Sequence, residues 1–225
     1  MELTERLGIN GFWLKMLAIL TMLIDHMGAI LFPQYRWMRM IGRLAFPLFA
    51  FLLVEGFLHT RDVNAYLKRL TIFAILSEPV FDFAFSGRFF DMGHQNIFFT
   101  LALGVLLLKL LNENAEVSRR MLWFVVIAFA AEVIRCDYKT GGILTILIFY
   151  QYRNNRRMMS VFFAAAHMFL WGTLSIQSYA VFALLPILLY NGRRGTKIKY
   201  TFYIFYPAHL LGLGMIAKWM SSIHF

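Results

Sequence analysis

Cysteine is nearly absent from this chain. One residue in 225, Cys136, excludes an intrachain disulfide and gives no metal-binding Cys-x-x-Cys pair. Acidic side chains are also scarce, 12 against 22 Lys and Arg, and all charged residues together make up only 15% of the chain. The five prolines form no linker, no low-complexity tract is present and no segment repeats, so residues 1–225 are expected to be one domain. A Gly-rich phosphate loop and a Gly-x-Ser-x-Gly elbow are both missing, which removes the P-loop nucleotidases and the α/β-hydrolases. No histidines stand at the i,i+4 spacing of a zinc helix, so no metal is expected. A cleavable signal is not expected either: Glu2 and Glu5 spoil a basic leader, and Asp25 and His26 lie inside the first apolar run. What remains is apolar. Sixty per cent of the residues are hydrophobic, Phe alone contributes 24, and they fall in long blocks instead of alternating.

Those blocks predict an all-α polytopic membrane protein, a bundle of about nine (8–10) transmembrane helices. They lie near 12–32, 41–59, 66–85, 95–111, 121–135, 142–152, 158–175, 178–190 and 200–219. A β-barrel is disfavoured, because its strands are ~10-residue alternating segments. The net charge of +10 invites a nucleic-acid reading, but the basic residues sit in short loops between the blocks. Alternate loops divide them fourteen to six. The rich side collects Arg6, Arg61, Lys68, Arg69, Lys109, Arg119, Arg120, Arg153, Arg156, Arg157, Arg193, Arg194, Lys197 and Lys199. Such a bias places the N-terminus in the cytoplasm.

Ionisable residues inside the blocks are the candidate site, since they are costly in a bilayer and normally face a bundle interior. Lys15 and His26 stand eleven residues apart in the first block, about three turns, so they share a face with ~16 Å between them. Asp25 adjoins His26 but points ~100° away from it. Arg43 enters the second block from the outer side, either snorkelling or pairing with a buried carboxylate, and Pro47 is expected to kink that helix. Glu55 and His59 are one turn apart at its other end. Glu78 and Asp82 follow at i,i+4 in the third block, where a cation such as Arg43 or Arg88 is expected between them. His94, Gln95 and Asn96 open the fourth. Glu132 and Arg135 are expected to pair, and Asp137 and Tyr138 enter a tight turn at Gly141 and Gly142. His167 reads as a structural histidine and His224 as incidental. Tyr206, Pro207 and His209 suggest a helix unwound beside an imidazole. For anion binding, Arg153, Arg156, Arg157, Arg193 and Arg194 are available, although anionic lipid alone would account for most of them.

The motifs Leu23-Ile24-Asp25-His26-Met27-Gly28, Gly42-Arg43-Leu44-Ala45-Phe46-Pro47, Glu55-Gly56-Phe57, Ser77-Glu78-Pro79, His94-Gln95-Asn96-Ile97-Phe98-Phe99-Thr100, Asp137-Tyr138 and Tyr206-Pro207-Ala208-His209 together resemble the TraX family, named for F-pilin acetylation. The likeness covers almost the whole chain. That family is similar in turn to the transmembrane acyltransferases, in which a basic residue, usually arginine, stands eleven positions before a catalytic histidine. The resemblance implies a multi-pass protein of a bacterial cytoplasmic membrane. It also implies acetyl transfer from cytoplasmic acetyl-CoA to an acceptor amine or hydroxyl: a pilin, peptide, glycan or small amine. His26 would serve as base or transient acyl carrier, oriented by Glu78, Asp82 or Asn96. Lys15, with Arg153, Arg156 and Arg193, would attract the CoA phosphates, and Arg43 or His94 would stabilise the oxyanion. Glu55, His59, Gln95, Asp137, Tyr138, Tyr206 and His209 would line the remaining pocket. A proton-coupled transporter using the same buried Asp, Glu and His is the alternative, and a non-catalytic scaffold the third reading.

Overall fold

Every apolar block falls on helix. In the computed structural model, which describes residues 8–114, 116–196 and 201–223, α1 is Gly11–Ile30, α2 Arg36–Gly42, α3 Ala45–His59, α4 Val63–Ser86 and α5 Ile97–Glu113. There follow α6 Val117–Val133, α7 Lys139–Gln151 and α8 Arg156–Trp171. A 3₁₀ segment, Ile176–Ala183, runs into α9 Leu184–Leu188, and α10 is Thr201–Ile223. Arg6, Lys197, Lys199 and His224 lie outside the described residues. Among the described residues there is no β-strand, only two isolated bridges at opposite ends of the bundle, Ile9 with Tyr190 and Gln95 with Cys136.

The second block is two helices, not one kinked helix. Pro47 sits in the first turn of α3, where its missing N–H costs nothing, and the chain breaks at Arg43 and Leu44 before it. Pro207, conversely, lies inside an unbroken α10 and does not unwind it. Gly141 and Gly142 belong to the first turn of α7 and form no loop. They let α7 pack closely, since a Cβ on Gly141 would meet Trp171 and one on Gly142 would meet Thr100.

Among the described residues, two stretches are long and apolar enough to cross a bilayer alone, Gly11–Ile30 and Arg36–His59. The surface carries the stronger signal. Ile72, Ile75 and Leu76 of α4, Leu122, Val125 and Phe129 of α6, Phe162 and Phe169 of α8, and Ile204, Met215 and Trp219 of α10 are all exposed. Apolar area on that scale is not tolerated against water, and it marks a membrane protein. Inside, α1 packs on α2, α3 and α10, and α4 packs on α5 and α10. The core is aromatic: Phe49, Phe98, Phe202, Tyr203 and Tyr206 contact one another ring to ring.

Close approach of α1 and α2 depends on two glycines. A Cβ on Gly28 would meet that of Met38 at 2.7 Å, and one on Gly42 would lie 1.9 Å from Asp25 Oδ1. Gly42→Ala is therefore expected to destabilise the purified protein by about 1–3 kcal/mol, read as a lowered thermal midpoint in detergent. The same change at Gly212, where a Cβ meets nothing within 4 Å, should be nearly silent.

Candidate functional site

Asp25 and His26 are neighbours with different partners. Asp25, buried, faces α2 and α3: Arg43 Nη2 donates to both of its oxygens at 2.7 Å, and Arg39 Nη1 to Oδ2 at 2.8 Å and to the Asp25 carbonyl at 3.1 Å. Arg43 Nη1 also donates to Gln177 Oε1 at 3.1 Å, tying in the 3₁₀ segment. Of the two fates open to Arg43, pairing with a buried carboxylate is the one adopted. Asp25 thus does not orient His26, and Arg43 does not sit between Glu78 and Asp82.

His26, one residue on, turns to α10. Its Nδ1 lies 2.7 Å from His209 Nε2, and the two rings are parallel within 3° at a centroid separation of 5.0 Å. With nitrogens that close, such spacing fits rings joined edge to edge by a hydrogen bond rather than laid face on face. The tautomers follow. His209 Nδ1 lies 2.7 Å from the Phe205 carbonyl, which only accepts, so Nδ1 carries the hydrogen and Nε2 is bare in the neutral ring. His26 Nδ1–H must then be the donor to His209, and His26 Nε2 is left with its lone pair. Phe85 and Tyr206 stand edge-on to the His26 ring.

None of the three groups expected to orient His26 does so. Asn96 caps α5 by accepting from Phe98 N at 2.9 Å, and its Nδ2 donates to Glu78 Oε2 and to the Ala74 carbonyl. The Asn96 backbone N–H reaches the same Glu78 oxygen at 3.1 Å. Asp82 accepts from Asp91 N at 2.7 Å. Gln95, His94 and Asp137 form the outer corner. Gln95 N–H donates to the Arg135 carbonyl, Asp137 N–H to the Gln95 carbonyl, and the Thr100 hydroxyl to the Asp137 carbonyl. His94 Nε2 is 3.5 Å from Asp137 Oδ1. Tyr138, at φ +63°, stacks on Phe46 with centroids 4.0 Å apart. Glu132 pairs with Lys139 and accepts from Thr140 N, and not with Arg135, whose φ of +60° turns it away. His167 is fully buried between Phe163 and Trp171, in keeping with a structural role.

At the other end of α1 is a cavity of about 810 Å³. Lys15 lines it together with Glu55 and His59, and so do Arg194, already among the cations available for anion binding, and two cations absent from the sequence-based site, Arg61 and Arg69. Arg69 stacks over Tyr66, and its buried Nε has no hydrogen-bond partner. Backbone bonds between residues 9–11 and 189–193 hold the wall that carries Arg194 beside Lys15. Arg153, Arg156 and Arg193 are not in this wall. Arg156 donates to the Leu188 and Tyr190 carbonyls, Arg153 to that of Tyr150, and the Arg193 backbone carbonyl accepts from Gly11. Sequence spacing cannot show this, because the cavity is assembled from the ends of α1, α3, α4 and α10. Phe49 and Phe202 form its inner wall, with Tyr206 between Phe202 and the histidine pair.

A family model described as TraX protein matches residues 11–217. The chain belongs to the TraX family. Consistent with that, it is 30% identical over 240 residues to the "Probable fimbrial assembly protein FimC, serogroup H1" of Dichelobacter nodosus, covering 92% of this chain and 96% of that protein. An uncharacterized protein of Rickettsia prowazekii (strain Madrid E) is 53% identical over 38 residues, 17% of this chain and 15% of that one. No solved structure matches. The TraX match spans Lys15, the histidine pair and the Asp25 network alike.

Two tests follow from this geometry. Removing one partner of the Asp25–Arg43 pair leaves a buried charge uncompensated, at about 3–5 kcal/mol. Asp25→Asn and Arg43→Gln should each lower the thermal midpoint strongly, and the double variant should cost less than their sum in a double-mutant cycle. His94, in the loop between α4 and α5, has its pKa raised, first by its hydrogen bond to Asp137 and then, against some desolvation, by the carboxylate charge. A raised folded-state value favours the protonated ring, so its stabilisation is full below the ordinary imidazole range and fades as pH rises through the raised value. Between about pH 6 and pH 9, wild type should lose more thermal stability than His94→Gln does.

Proposed function

We propose that this protein is a multi-pass acyltransferase of a bacterial cytoplasmic membrane, with about nine crossings and a cytoplasmic N-terminus. It would move an acetyl group from cytoplasmic acetyl-CoA to an amine or hydroxyl. The observation that carries the reading is the His26–His209 pair, which leaves a lone pair on His26 Nε2 inside an apolar bundle. A base held in one tautomer by a second histidine is suited to proton abstraction. The acceptor's N–H or O–H would give its proton to Nε2 as its heteroatom attacks the thioester carbonyl. The C–S bond then breaks, and the departing thiolate takes the proton from His26. The same lone pair would also serve if His26 first carried the acetyl group itself.

The basic cavity supports the donor side of this reading. Lys15, Arg61, Arg69 and Arg194 gather at the cationic end of α1, and none of them makes an ion pair among the described residues. That is the chemistry for a nucleotide phosphate. The acetylated arm would have to pass Phe202 and Tyr206 to reach His26, along the ~16 Å that separates it from Lys15. A relative named for fimbrial assembly agrees with a pilus subunit as one acceptor.

Acetyl-CoA binding and CoA release by the detergent-purified protein test the proposal. Lys15→Ala and Arg69→Ala should weaken binding about tenfold. His26→Ala should bind normally yet lose about 10²–10⁴ in CoA release. His209→Ala should slow turnover and shift its pH profile, because His26 loses the partner that fixes its tautomer. A folded wild type that does not bind acetyl-CoA would overturn the proposal and favour proton-coupled transport through the paired imidazoles.

A further inference from the structure

Glu55 is the single carboxylate in the lining of the Lys15 cavity, among the described residues. Local partners do not account for it. His59, one turn further along α3, places Nδ1 2.8 Å from the Glu55 backbone carbonyl and so spends that N–H away from the carboxylate. Lys15, Arg61, Arg69 and Arg194 share the cavity, yet among the described residues none forms an ion pair with Glu55. Its polar neighbour is the Tyr190 hydroxyl, which donates to it. An ionised carboxylate offers about four lone-pair sites, so one phenol leaves most of its accepting capacity unused.

For a bare phosphate this carboxylate is a liability, because it repels the anion that the four cations attract. The space also exceeds what a phosphate fills. A cavity of about 810 Å³ is of the size that takes up a whole organic ligand. Phe12, Leu52, Leu53 and Tyr66 give it apolar and aromatic surface. The Tyr66 hydroxyl lies against α3 at Gly56, the residue after Glu55, where a Cβ would stand 3.1 Å from it. Cations, an acceptor with spare lone pairs and aromatic surface therefore line one space. The ligand that answers all three is anionic at one end and carries O–H or N–H donors on a flat body at the other. A nucleotide has that form.

We propose that Glu55 is the residue that selects the nucleoside part of the ligand, accepting a hydrogen bond from a ribose hydroxyl or from the exocyclic amine of the base. This rests on the reading of the cavity as a phosphate site and deepens it: the donor is selected as a nucleotide and not by its phosphates alone. It does not rest on the chemistry at His26. A hydrogen bond to an ionised acceptor is among the stronger ones, which suits a residue that has to outweigh its own repulsion of the phosphates. Dinucleotide-binding sheets divide the work in the same way, with N–H donors on the pyrophosphate and a carboxylate on the ribose.

Isothermal titration calorimetry of the detergent-purified full chain tests this with four probes: ADP, its 2′-deoxy analogue, purine riboside diphosphate, which lacks the amine, and pyrophosphate. Wild type should bind ADP about tenfold more tightly than pyrophosphate. Glu55→Ala should erase that advantage by weakening ADP and tightening pyrophosphate, opposite signs that misfolding does not produce. Glu55→Gln, which keeps an acceptor oxygen but no charge, should also tighten pyrophosphate while retaining part of the preference for ADP. Weaker binding of the 2′-deoxy analogue to wild type assigns the ribose hydroxyl to Glu55, and weaker binding of the purine riboside assigns the amine. Equal affinity of wild type for all three nucleotides, or equal weakening of ADP and pyrophosphate by Glu55→Ala, would overturn the assignment and leave the phosphate site standing. A folded wild type that binds neither ADP nor pyrophosphate would overturn the phosphate reading as well.

Discussion

One buried carboxylate constrains the end of the bundle away from the Lys15 cavity. Asp25 sits in the middle of an apolar helix, and an ionised oxygen pair there is tolerable only if it is paired and hydrogen-bonded. Arg43 and Arg39 meet that demand from two sides, and Gln177 holds Arg43 in turn. The neighbouring α2, its junction with α3 and the distant 3₁₀ segment are thereby fixed against α1. The contact needs bare backbone at Gly42, because any side chain there would occupy the space of the Asp25 carboxylate. It also explains the break between α2 and α3: Arg43 sits at the junction, where the chain is free to turn its guanidinium back toward α1.

Fixing Asp25 on the α2–α3 side fixes His26 as well. Successive helical residues are rotated by ~100°, so His26 is presented to α10, where His209 waits with one nitrogen already committed to the Phe205 carbonyl. The anchor therefore acts on the imidazole through helix geometry and makes no contact with it. Two neighbouring polar residues perform separate tasks, one holding helices together and the other holding a lone pair in an apolar interior.

How much of this was legible in the sequence follows from which interactions are local. The apolar blocks were, because apolar helical segments advertise themselves by composition, and each falls on helical backbone, although among the described residues only Gly11–Ile30 and Arg36–His59 are long and apolar enough to cross a bilayer alone. The placing of Lys15 and His26 on one face toward opposite ends of α1 was also readable, since it depends only on rise and rotation along that helix. So was the shared location of Glu55 and His59 with Lys15, at the same end of the bundle. The partners were not. Nothing in spacing connects His26 to His209, 183 residues away, or distinguishes Arg39 from an ordinary loop cation. Arg61 and Arg69 were counted only as topology signals, Arg194 was one of five arginines available to an anion with nothing to single it out, and Arg153 and Arg156, assigned to phosphate, bind carbonyls. Proline was misread for a related reason, because its effect depends on position within the turn: harmless at the start of α3, accommodated within α10.

The excess of basic charge consequently has several physical meanings in one chain. Arg39 and Arg43 neutralise a buried carboxylate. Arg153 and Arg156 satisfy carbonyls at helix ends, which would otherwise lack donors where the chain leaves the bundle. Lys15, Arg61, Arg69 and Arg194 converge on a cavity whose lining also holds Glu55, yet none of them forms an ion pair among the described residues, and Arg69 keeps a buried donor unsatisfied there. A cation with a structural partner is explained by the fold. Several gathered without one raise mutual repulsion that folding alone gives no reason to accept, a cost that the nucleotide phosphate proposed above would offset.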